Sequence, residues 1–328
     1  MTEKLVFLGM GGTIAGTAAS AGDNVGYKAA QVGVQALLAS VPGLVPLLGG
    51  REVLSEQVCQ IDSKDLEHTD WRSLWDRVSH YLAMDDVSGV VVTHGTDTLE
   101  ETAYFLSCTL PVELLKRKPV VLTCAMRPAS SLTPDGPGNM ADAAAVALCK
   151  EAHGVLVVCA GKIHTAAHVQ KVHPYRTDAF DSGEAGPVGL VEEGKVRLLG
   201  DWPTLTASGY PIGSPVLPSD AWPRVELLIN HAGATGAVVR AMLETDADAA
   251  PLRGIVVAGT GNGTIHKIME SALLEAQEQG IRVVRVSRCA YGQVVGGSAT
   301  DRSGAFASAG LSGVKARIGL MLEIASQS

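Results

Sequence analysis

Short apolar runs rich in β-branched residues recur along this chain, separated by stretches in which apolar residues stand three or four positions apart. The runs lack a strict alternation of polar and apolar residues, which is typical of strands covered on both faces. The predicted strands are Leu5–Leu8, Val90–Thr93, Val120–Thr123, Val155–Cys159, Val225–Ile229, Ile255–Ala258 and Val283–Val286. The predicted helices include Trp71–Leu82, Asn139–Glu151 and His266–Gln279. This order of elements predicts an α/β fold with a mainly parallel sheet flanked by helices.

The regular pattern is interrupted near residues 200–223. Prolines at positions 203, 211, 215, 218 and 223 stand in a segment with little periodicity, which is typical of an interdomain linker. A chain of 328 residues is long enough for two domains. We therefore predict a larger N-terminal domain over residues 1–200, a linker over 201–223 and a smaller C-terminal α/β domain over 224–328.

Composition and charge narrow the range of partners. Hydrophobic residues make up 46% of the chain, which indicates a well-packed globular protein. A formal net charge of −8 argues against nucleic acid, because phosphate backbones bind basic surfaces. No apolar run approaches the about 20 residues of a membrane-spanning helix. The chain begins Met1-Thr2-Glu3-Lys4 without signal-peptide features, so we expect a cytoplasmic protein that binds neither nucleic acid nor membrane.

The cysteines and histidines give no sign of a metal site. The six cysteines form no Cys-x-x-Cys pair, and most lie inside apolar runs. We expect them to be small buried hydrophobic residues in a reducing compartment, with zinc or disulfide roles as the alternative. His94, His164 and His168 lack the spacing of metal ligands, so the sequence predicts no metal.

Polar groups are concentrated at the junction after the predicted strand Val90–Thr93. The sequence Thr93-His94-Gly95-Thr96-Asp97-Thr98 places hydroxyls, an imidazole and a carboxylate between a buried strand and a helical pattern. In parallel sheets such junctions lie at the carboxyl edge, where α/β proteins bind ligands. One side chain, Thr96 or Asp97, would suffice as a helix cap. The surplus of functional groups indicates a binding or catalytic site.

A second predicted strand end, Gly9-Met10-Gly11-Gly12-Thr13-Ile14-Ala15-Gly16, is rich in glycine. It fails the Gly-x-Gly-x-x-Gly dinucleotide pattern because Ile14 occupies the third glycine position, so nucleotide binding is disfavoured. The glycines are suited to a close approach of the backbone to a small ligand, with Thr13 exposed at the strand end. An ordinary turn residue remains the alternative for Thr13.

Further polar positions each have a structural and a functional interpretation. Tyr27 ends a small, polar, glycine-containing segment that is typical of a mobile lid, and its phenol could accept a proton from a hydroxyl nucleophile or anchor the loop. Asp62 or Ser63 could cap the next helix, or Ser63 could bind a substrate carboxylate. Lys171 is either a solvated lysine or a partner of Asp97 that activates a neighbouring hydroxyl.

Several sequence blocks, in the expected order, resemble the bacterial-type L-asparaginases, and the segment Asp62–Asp65 is similar to their cytoplasmic branch. The blocks are Gly11–Ala15, Thr93–Thr98 with Glu100–Ala103, Ala125–Pro128, Asp135–Asn139, Lys171–His173 with Asp178–Phe180, and Gly259–Gly263. The resemblance implies a larger N-terminal α/β domain followed by a smaller one. It also implies an enzyme that hydrolyses L-asparagine to L-aspartate and ammonia without a cofactor.

The resemblance implies roles for the residues of the two strand ends. Thr13 matches the threonine nucleophile, which forms a covalent acyl intermediate, and Tyr27 matches the tyrosine of the lid. Thr96, Asp97 and Lys171 match a second catalytic group, and Asp97 also contacts the substrate ammonium. Whether Thr13 or water attacks the amide first stays open, and the water of the later step is activated by Thr96 and Lys171.

Substrate binding involves Asp62 and Ser63 by the same resemblance, with Ser63 at the substrate carboxylate. Thr264 stands where many family members have an asparagine that holds substrate from the neighbouring subunit, which leaves the preference between L-asparagine and L-glutamine open. The segment 287–293 lacks the glutamate that many members use to orient the lid tyrosine. The nearby Asp301 is not assigned that role.

Family members typically form homotetramers of close dimers. The resemblance therefore implies a homotetramer or homodimer with its sites near the dimer interface. The alternatives to an L-asparaginase are a glutaminase-asparaginase of mixed specificity, an amidase that supplies ammonia to another reaction, and a non-catalytic amino-acid sensor.

Overall fold

The computed structural model describes residues 2–41, 43–205, 217, 222–244, 250–296 and 306–327. The chain divides into two compact units, Met1–Thr206 and Ala207–Ser328. Residues 201–205 of the predicted linker belong to the first unit, where Trp202 packs against the core. Positions 206–216 and 218–221 lie outside the described residues, so the extent of the linker stays a prediction.

The first unit begins with strands and helices in alternation. Its strands are β1 (Lys4–Gly11), β2 (Glu52–Ile61), β3 (Val87–Thr93), β4 (Val120–Thr123), β5 (Val155–Cys159), β6 (Lys162–Thr165), β7 (Gln170–Lys171), β8 (Phe180–Asp181), β9 (Gly189–Glu192) and β10 (Lys195–Leu198). Its helices are α1 (Val34–Ala39), α2 (Leu44–Leu48), α3 (His68–Ala83), α4 (Leu99–Thr109), α5 (Val112–Leu115) and α6 (Gly136–Ala147). Short 3-10 turns cover Thr13–Ala15, Ser63–Asp65 and Gly183–Ala185.

One large sheet in this unit has the strand order β10-β9-β6-β5-β4-β3-β1-β2. The strands from β5 to β2 in this order are parallel, whereas β6, β9 and β10 pair antiparallel. The sheet is therefore mainly parallel, as predicted. Strand β1 lies between β2 and β3, and its residues Leu5–Leu8 have no exposed surface, which explains the unbroken apolar run in the sequence.

Helix α3 confirms one helix of the sequence pattern, and α6 corrects another. In α3 the buried side chains are those three or four positions apart, Trp71, Leu74, Val78 and Leu82. The second prediction, a helix over residues 139–151, was displaced, since α6 starts at residue 136 and ends at 147. The earlier start fits the proline in the first turn of α6. Backbone N–H groups in the first turn have no partner within the helix, so a proline there loses no hydrogen bond.

The second unit carries a smaller parallel sheet, as predicted. Its strands are β11 (Arg224–Ile229), β12 (Leu252–Gly259), β13 (Arg282–Ser287) and β14 (Ala307–Ser308), paired in that order. Its helices are α7 (Ala237–Leu243), α8 (Lys267–Glu278) and α9 (Gly313–Ser326). Across the described parts of both units, no helix combines the length and the apolar character needed to cross a membrane.

The cysteines are free thiols, and the expectation that they are buried holds only in part. Cys124 and Cys159 are buried after β4 and at the end of β5, with their Sγ atoms 3.1 Å apart. Burial raises the pKa of the Cys124 thiol well above its ordinary value, so this thiol stays protonated. Cys289 is exposed, which makes the expectation wrong at that position, because it follows the edge of β13 in a surface turn.

Candidate active site

The backbones that follow β1, β2 and β3 converge at one edge of the sheet. Gly12 follows β1, Ser63 follows β2 and Gly95 follows β3. A Cβ atom on Gly12 would lie 2.2 Å from the Cα of Gly95, and one on Gly95 would lie 2.4 Å from Oγ of Ser63. Side chains do not fit at either glycine, because carbon atoms in contact are about 3.5–4.0 Å apart. The next residues, Thr13 and Thr96, therefore emerge from turns whose backbones touch.

Thr13 contacts Tyr27, as their predicted roles require. The Oγ1 of Thr13 is 2.6 Å from the phenol oxygen of Tyr27, a short hydrogen bond between two hydroxyls. Tyr27 stands at the base of its loop because Thr17 and Lys28 pair through two backbone hydrogen bonds of 2.9 and 2.8 Å. The aromatic ring also lies against Gly16, where a Cβ atom would be only 2.8 Å from it.

The loop between Thr17 and Lys28 is tied to the segment around residues 130–132. The N–H of Ala18 donates to Oγ of Ser130 at 2.8 Å, and the N–H of Leu132 donates to the carbonyl of Ala21 at 2.9 Å. Asp23 accepts from two backbone N–H groups within the loop, and these bonds lower the pKa of its carboxyl. Hydrogen bonds within the loop and with residues 130–132 thus hold the loop that carries Tyr27 in place over Thr13.

Lys171 joins Thr96 and Asp97 in a second group. Its Nζ donates to Oγ1 of Thr96 at 2.8 Å and to Oδ1 of Asp97 at 2.6 Å. The lysine side chain is 17% exposed, so its charge is partly shielded from water. An ammonium group only donates hydrogen bonds, so Thr96 accepts and its own hydrogen points elsewhere. The arrangement stabilises negative charge on the Thr96 oxygen, while the contact with Asp97 holds the ammonium group in place.

Lys171 reaches this turn from a distant part of the fold. Strand β5 returns through antiparallel β6, and the chain then forms the short hairpin of β7 and β8, which contains Lys171. The backbone N–H of Lys171 donates to Oε2 of Glu100, in the first turn of α4, at 3.1 Å. The hairpin and the helix that starts after Asp97 are therefore fixed to each other.

Ser63 lies beside the same turn, and Asp62 has a different role in the fold. Ser63 is 3% exposed, and its Oγ accepts from the N–H of Asp97 at 3.2 Å. Its own hydroxyl hydrogen remains for a further acceptor. Asp62 accepts from the N–H of Lys64 at 3.5 Å and so caps the 3-10 turn that begins at Ser63. The role of Asp62 in substrate binding stays a prediction.

Two further positions considered from the sequence are Thr264 and Asp301. Thr264 belongs to the second unit, where its hydroxyl lies 3.0 Å from that of Thr260, and Asp301 lies outside the described residues. No cluster of possible metal ligands occurs in the parts of the chain that the structure describes, and the absence of a metal stays a prediction. His94, the imidazole of the predicted polar strand end, bonds directly to the carbonyl of Gly95.

The fold and the site together define a class of protein. Two threonine hydroxyls follow neighbouring parallel strands, one bonded to a phenol and the other to a lysine ammonium. Hydroxyls held by partners that accept protons or stabilise negative charge are suited to acyl transfer. The chain is therefore an α/β protein whose functional groups are suited to a hydrolase.

Comparison with known proteins identifies the family. Residues 4–204 match the family model "Asparaginase, N-terminal", and residues 224–328 match "Glutaminase/Asparaginase C-terminal domain". Together these matches cover both units of the structure. The chain belongs to the asparaginase family.

Individual relatives carry two kinds of name. "Glutaminase-asparaginase" of Pseudomonas fluorescens biotype A is 36% identical over 89% of this chain and 77% of its own length. "L-asparaginase 2" of Bacillus subtilis (strain 168) is 35% identical over 97% of this chain and 81% of its own. A solved structure described as "Probable Cytoplasmic L-asparaginase" from Campylobacter jejuni superposes with a TM-score of 0.84 at 33% identity, over 98% of this chain and 95% of that one.

Proposed function

We propose that this protein is an L-asparaginase, which hydrolyses the side-chain amide of L-asparagine to give L-aspartate and ammonia. The observation that carries the proposal is the pairing of Lys171 with Thr96 and Asp97 beside the Thr13–Tyr27 contact. An amide is a poor electrophile and a threonine hydroxyl a weak nucleophile, so the reaction needs both activation and rigid positioning. The names of the relatives support the same reaction.

Substrate recognition would use the charges of the amino acid itself. The Asp97 side chain is 51% exposed, so a carboxylate oxygen is available for the substrate ammonium. The hydroxyl of Ser63 has its hydrogen available for the substrate carboxylate, since its oxygen already accepts from Asp97. These two contacts would hold the side-chain amide between the two threonines.

Thr13 acts in the first half of the reaction. Its Oγ1 forms a bond to the amide carbon, and the carbon–nitrogen bond breaks to release ammonia. The proton of Thr13 passes through the Tyr27 hydroxyl to the departing nitrogen. The 2.6 Å contact between the two oxygens supports this relay.

Thr96 and Lys171 act in the second half. Water adds to the acyl group, the bond between that carbon and Thr13 breaks, and L-aspartate leaves. Thr96 orients the water and takes its proton while its own proton passes to the departing oxygen of Thr13, and the Lys171 charge 2.8 Å away stabilises the negative charge that develops on Thr96. Direct attack by water on the amide is the alternative order of events, and it uses the same pair.

The experiment compares Thr13→Val and Thr96→Val, which keep volume and remove each hydroxyl. Both variants should lose nearly all ammonia release while still binding L-aspartate by calorimetry. After mixing with L-asparagine, Thr96→Val should accumulate an acyl group on Thr13, detected by intact mass. Thr109→Val is the matched control, because that buried hydroxyl donates to a carbonyl of its own helix. Substantial turnover by Thr13→Val would rule out the covalent route and favour direct attack by water.

L-Glutamine is the second candidate substrate, because relatives of similar identity are named glutaminase-asparaginases. Values of kcat/KM for L-asparagine, L-glutamine and D-asparagine separate an asparaginase from an enzyme of mixed specificity. A protein that binds L-aspartate but releases no ammonia from L-asparagine between about pH 6 and 9 would instead be an amino-acid sensor. Intact Thr13, Thr96 and Lys171 argue against a sensor.

We also propose a cytoplasmic homotetramer or homodimer with sites near the dimer interface. Large apolar side chains on the surface of the second unit, Ile229 at 60% and Val238 at 49% exposure, support a contact with another copy. Light scattering with parallel activity measurements tests the assembly, and a fully active monomer would contradict it. Relatives carry both cytoplasmic and periplasmic descriptions, so fractionation of the native cells must test the compartment.

A further inference from the structure

Three hydrogen bonds form a chain behind the turn that carries Thr96. The indole Nε1 of Trp71, in α3, lies 2.8 Å from Oγ1 of Thr102, in α4. That hydroxyl lies 2.9 Å from Nε2 of His94, and Nδ1 of His94 lies 2.8 Å from the carbonyl oxygen of Gly95. The chain therefore runs from two helices to the backbone immediately before Thr96.

The two ends of this chain fix the direction of its bonds. An indole N–H only donates, so the oxygen of Thr102 accepts from Trp71. A carbonyl oxygen only accepts, so Nδ1 of His94 donates to Gly95 and carries the proton of the neutral imidazole. Nε2 is then the unprotonated nitrogen, and the hydroxyl hydrogen of Thr102 points to it. One tautomer of His94 satisfies all three bonds.

The surroundings preserve that tautomer. His94 is 1% exposed and Thr102 is fully buried, so water does not compete for these groups. Burial lowers the pKa of His94 to about 4, which keeps the imidazole neutral in neutral solution. The indole of Trp71 is held in turn by stacking on Phe105, with ring centroids 4.8 Å apart and an interplanar angle of 9°.

We infer that His94 is a positioning residue for the proposed reaction, acting through the carbonyl of Gly95 to set the orientation of Thr96. This inference rests on the proposed function. The peptide between Gly95 and Thr96 is planar, so a bond to its carbonyl also fixes the direction of the Thr96 N–H and the start of the Thr96 residue. The backbone of Gly12 and the side chain of Ser63 lie close to Gly95 and leave this peptide little room to move.

Two amide substitutions at His94 separate positioning from simple packing. His94→Asn keeps an N–H donor where Nδ1 stands, and His94→Gln places its amide where Nε2 stands. His94→Gln should lower kcat by about 100-fold, the effect expected of a displacement near 1 Å, with KM for L-asparagine little changed. His94→Asn should retain most of the wild-type kcat.

A second series leaves His94 in place. Thr102→Val removes the hydroxyl that donates to Nε2 of His94, and Thr102→Ser restores it. Thr109→Val is the matched control on the same helix, because Thr109 is 2% exposed and donates to the carbonyl of Phe105 at 2.8 Å. Nitrogen NMR of labelled histidine should give the Nδ1-protonated tautomer for His94 in all of these proteins, with the Nε2 resonance shifted in Thr102→Val by the loss of its hydrogen bond.

The outcomes are distinct. Equal kcat for His94→Asn and His94→Gln, equal kcat for Thr102→Val and Thr109→Val, or an Nε2-protonated His94 in the wild type would each overturn the inference. The tautomer can be measured whether or not the protein is an enzyme. Absence of ammonia release by the wild type would remove the proposed function, whereas a shifted Nε2 resonance with unchanged kcat in Thr102→Val would remove only the positioning role.

Discussion

Substitution of Gly12 by alanine tests how tightly the two strand-end turns are packed. The backbone at Gly12 has φ 80° and ψ −168°, a conformation that is essentially restricted to glycine. A Cβ atom there would also stand 2.2 Å from the Cα of Gly95, about 1.3 Å closer than carbon atoms in contact. The backbones of the two turns must therefore separate before the substitution can be accommodated.

The structure offers glycines in which these two effects occur separately. Gly50 has φ +86°, and no atom lies within 4 Å of the position that a Cβ atom would take. Gly50→Ala would therefore introduce backbone strain without a steric contact. Gly95 has an ordinary φ, and its Cβ atom would meet the side chain of Ser63 at 2.4 Å, so Gly95→Ala has the steric contact alone. Gly138 has neither effect and lies in the first turn of α6.

The expected changes in the free energy of unfolding follow from these categories. Left-handed strain costs about 1–2 kcal/mol at Gly50. Overpacking at Gly95 costs about 1–3 kcal/mol, since the Ser63 hydroxyl can rotate but its Cβ cannot. Gly12→Ala combines both and should cost about 2–6 kcal/mol. Gly138→Ala should be neutral or stabilising by up to about 1 kcal/mol.

Thermal unfolding followed by circular dichroism, together with ammonia release, checks this series. At about 2–4 °C per kcal/mol for a unit of this size, Gly12→Ala should lower Tm by about 5–20 °C. Its kcat should fall by about 100-fold at temperatures where it is still folded, because the turns before Thr13 and Thr96 are displaced. A Tm for Gly12→Ala no lower than that of Gly50→Ala would refute the close contact of Gly12 with Gly95.

Three further predictions concern ionisable groups. Burial lowers the pKa of His94 from 6.5 to about 4, so this histidine protonates at a higher pH in the unfolded chain than in the folded protein. The free energy of unfolding should therefore fall by up to about 3 kcal/mol between about pH 6.5 and 4. Urea titrations of His94→Asn should lack this pH-dependent loss of stability. Desolvation raises the pKa of Glu56, but a hydrogen bond from Arg77 and its charge contribute to a net lowering; this stabilisation exists above the unfolded pKa and is lost in acid, so Glu56→Gln should reduce Tm more at about pH 7 than at about pH 3. A thiol reagent should label Cys289 at once and Cys124 only after unfolding, which mass spectrometry of labelled peptides would detect.

The parts of the site that the sequence predicted are those with a local signal. An unbroken apolar run that stops at a polar, glycine-containing turn is sufficient to predict β3 and a functional site in the turn after it, whereas the roles of Thr96 and Asp97 rest on the family resemblance. The same signal predicts β1 and Thr13. Both turns follow parallel strands, and ligands of α/β proteins bind at the carboxyl edge of such strands. The sequence therefore predicts that the two turns belong to one site.

Other features depend on contacts between distant residues. Lys171 is 75 residues from Thr96, and it reaches the site only because β6 returns antiparallel to β5. No spacing in the sequence encodes that reversal. Strand β10 escaped prediction for a different reason: residues 195–198 are largely exposed and form no apolar run.

His94 illustrates the limit most clearly, because two of the residues that surround it lie in helices that are distant in the sequence. The carbonyl of Gly95 fixes its protonated nitrogen, and its other nitrogen accepts from Thr102. The oxygen of Thr102 in turn accepts from Trp71, which lies 31 residues away from it. An imidazole at a polar strand end can be a ligand, a base or a packed core residue. These bonds remove the first two choices, since Nε2 is occupied by a hydroxyl and Nδ1 by a carbonyl. With both nitrogens bonded, the imidazole acts on the site by holding the peptide that precedes Thr96.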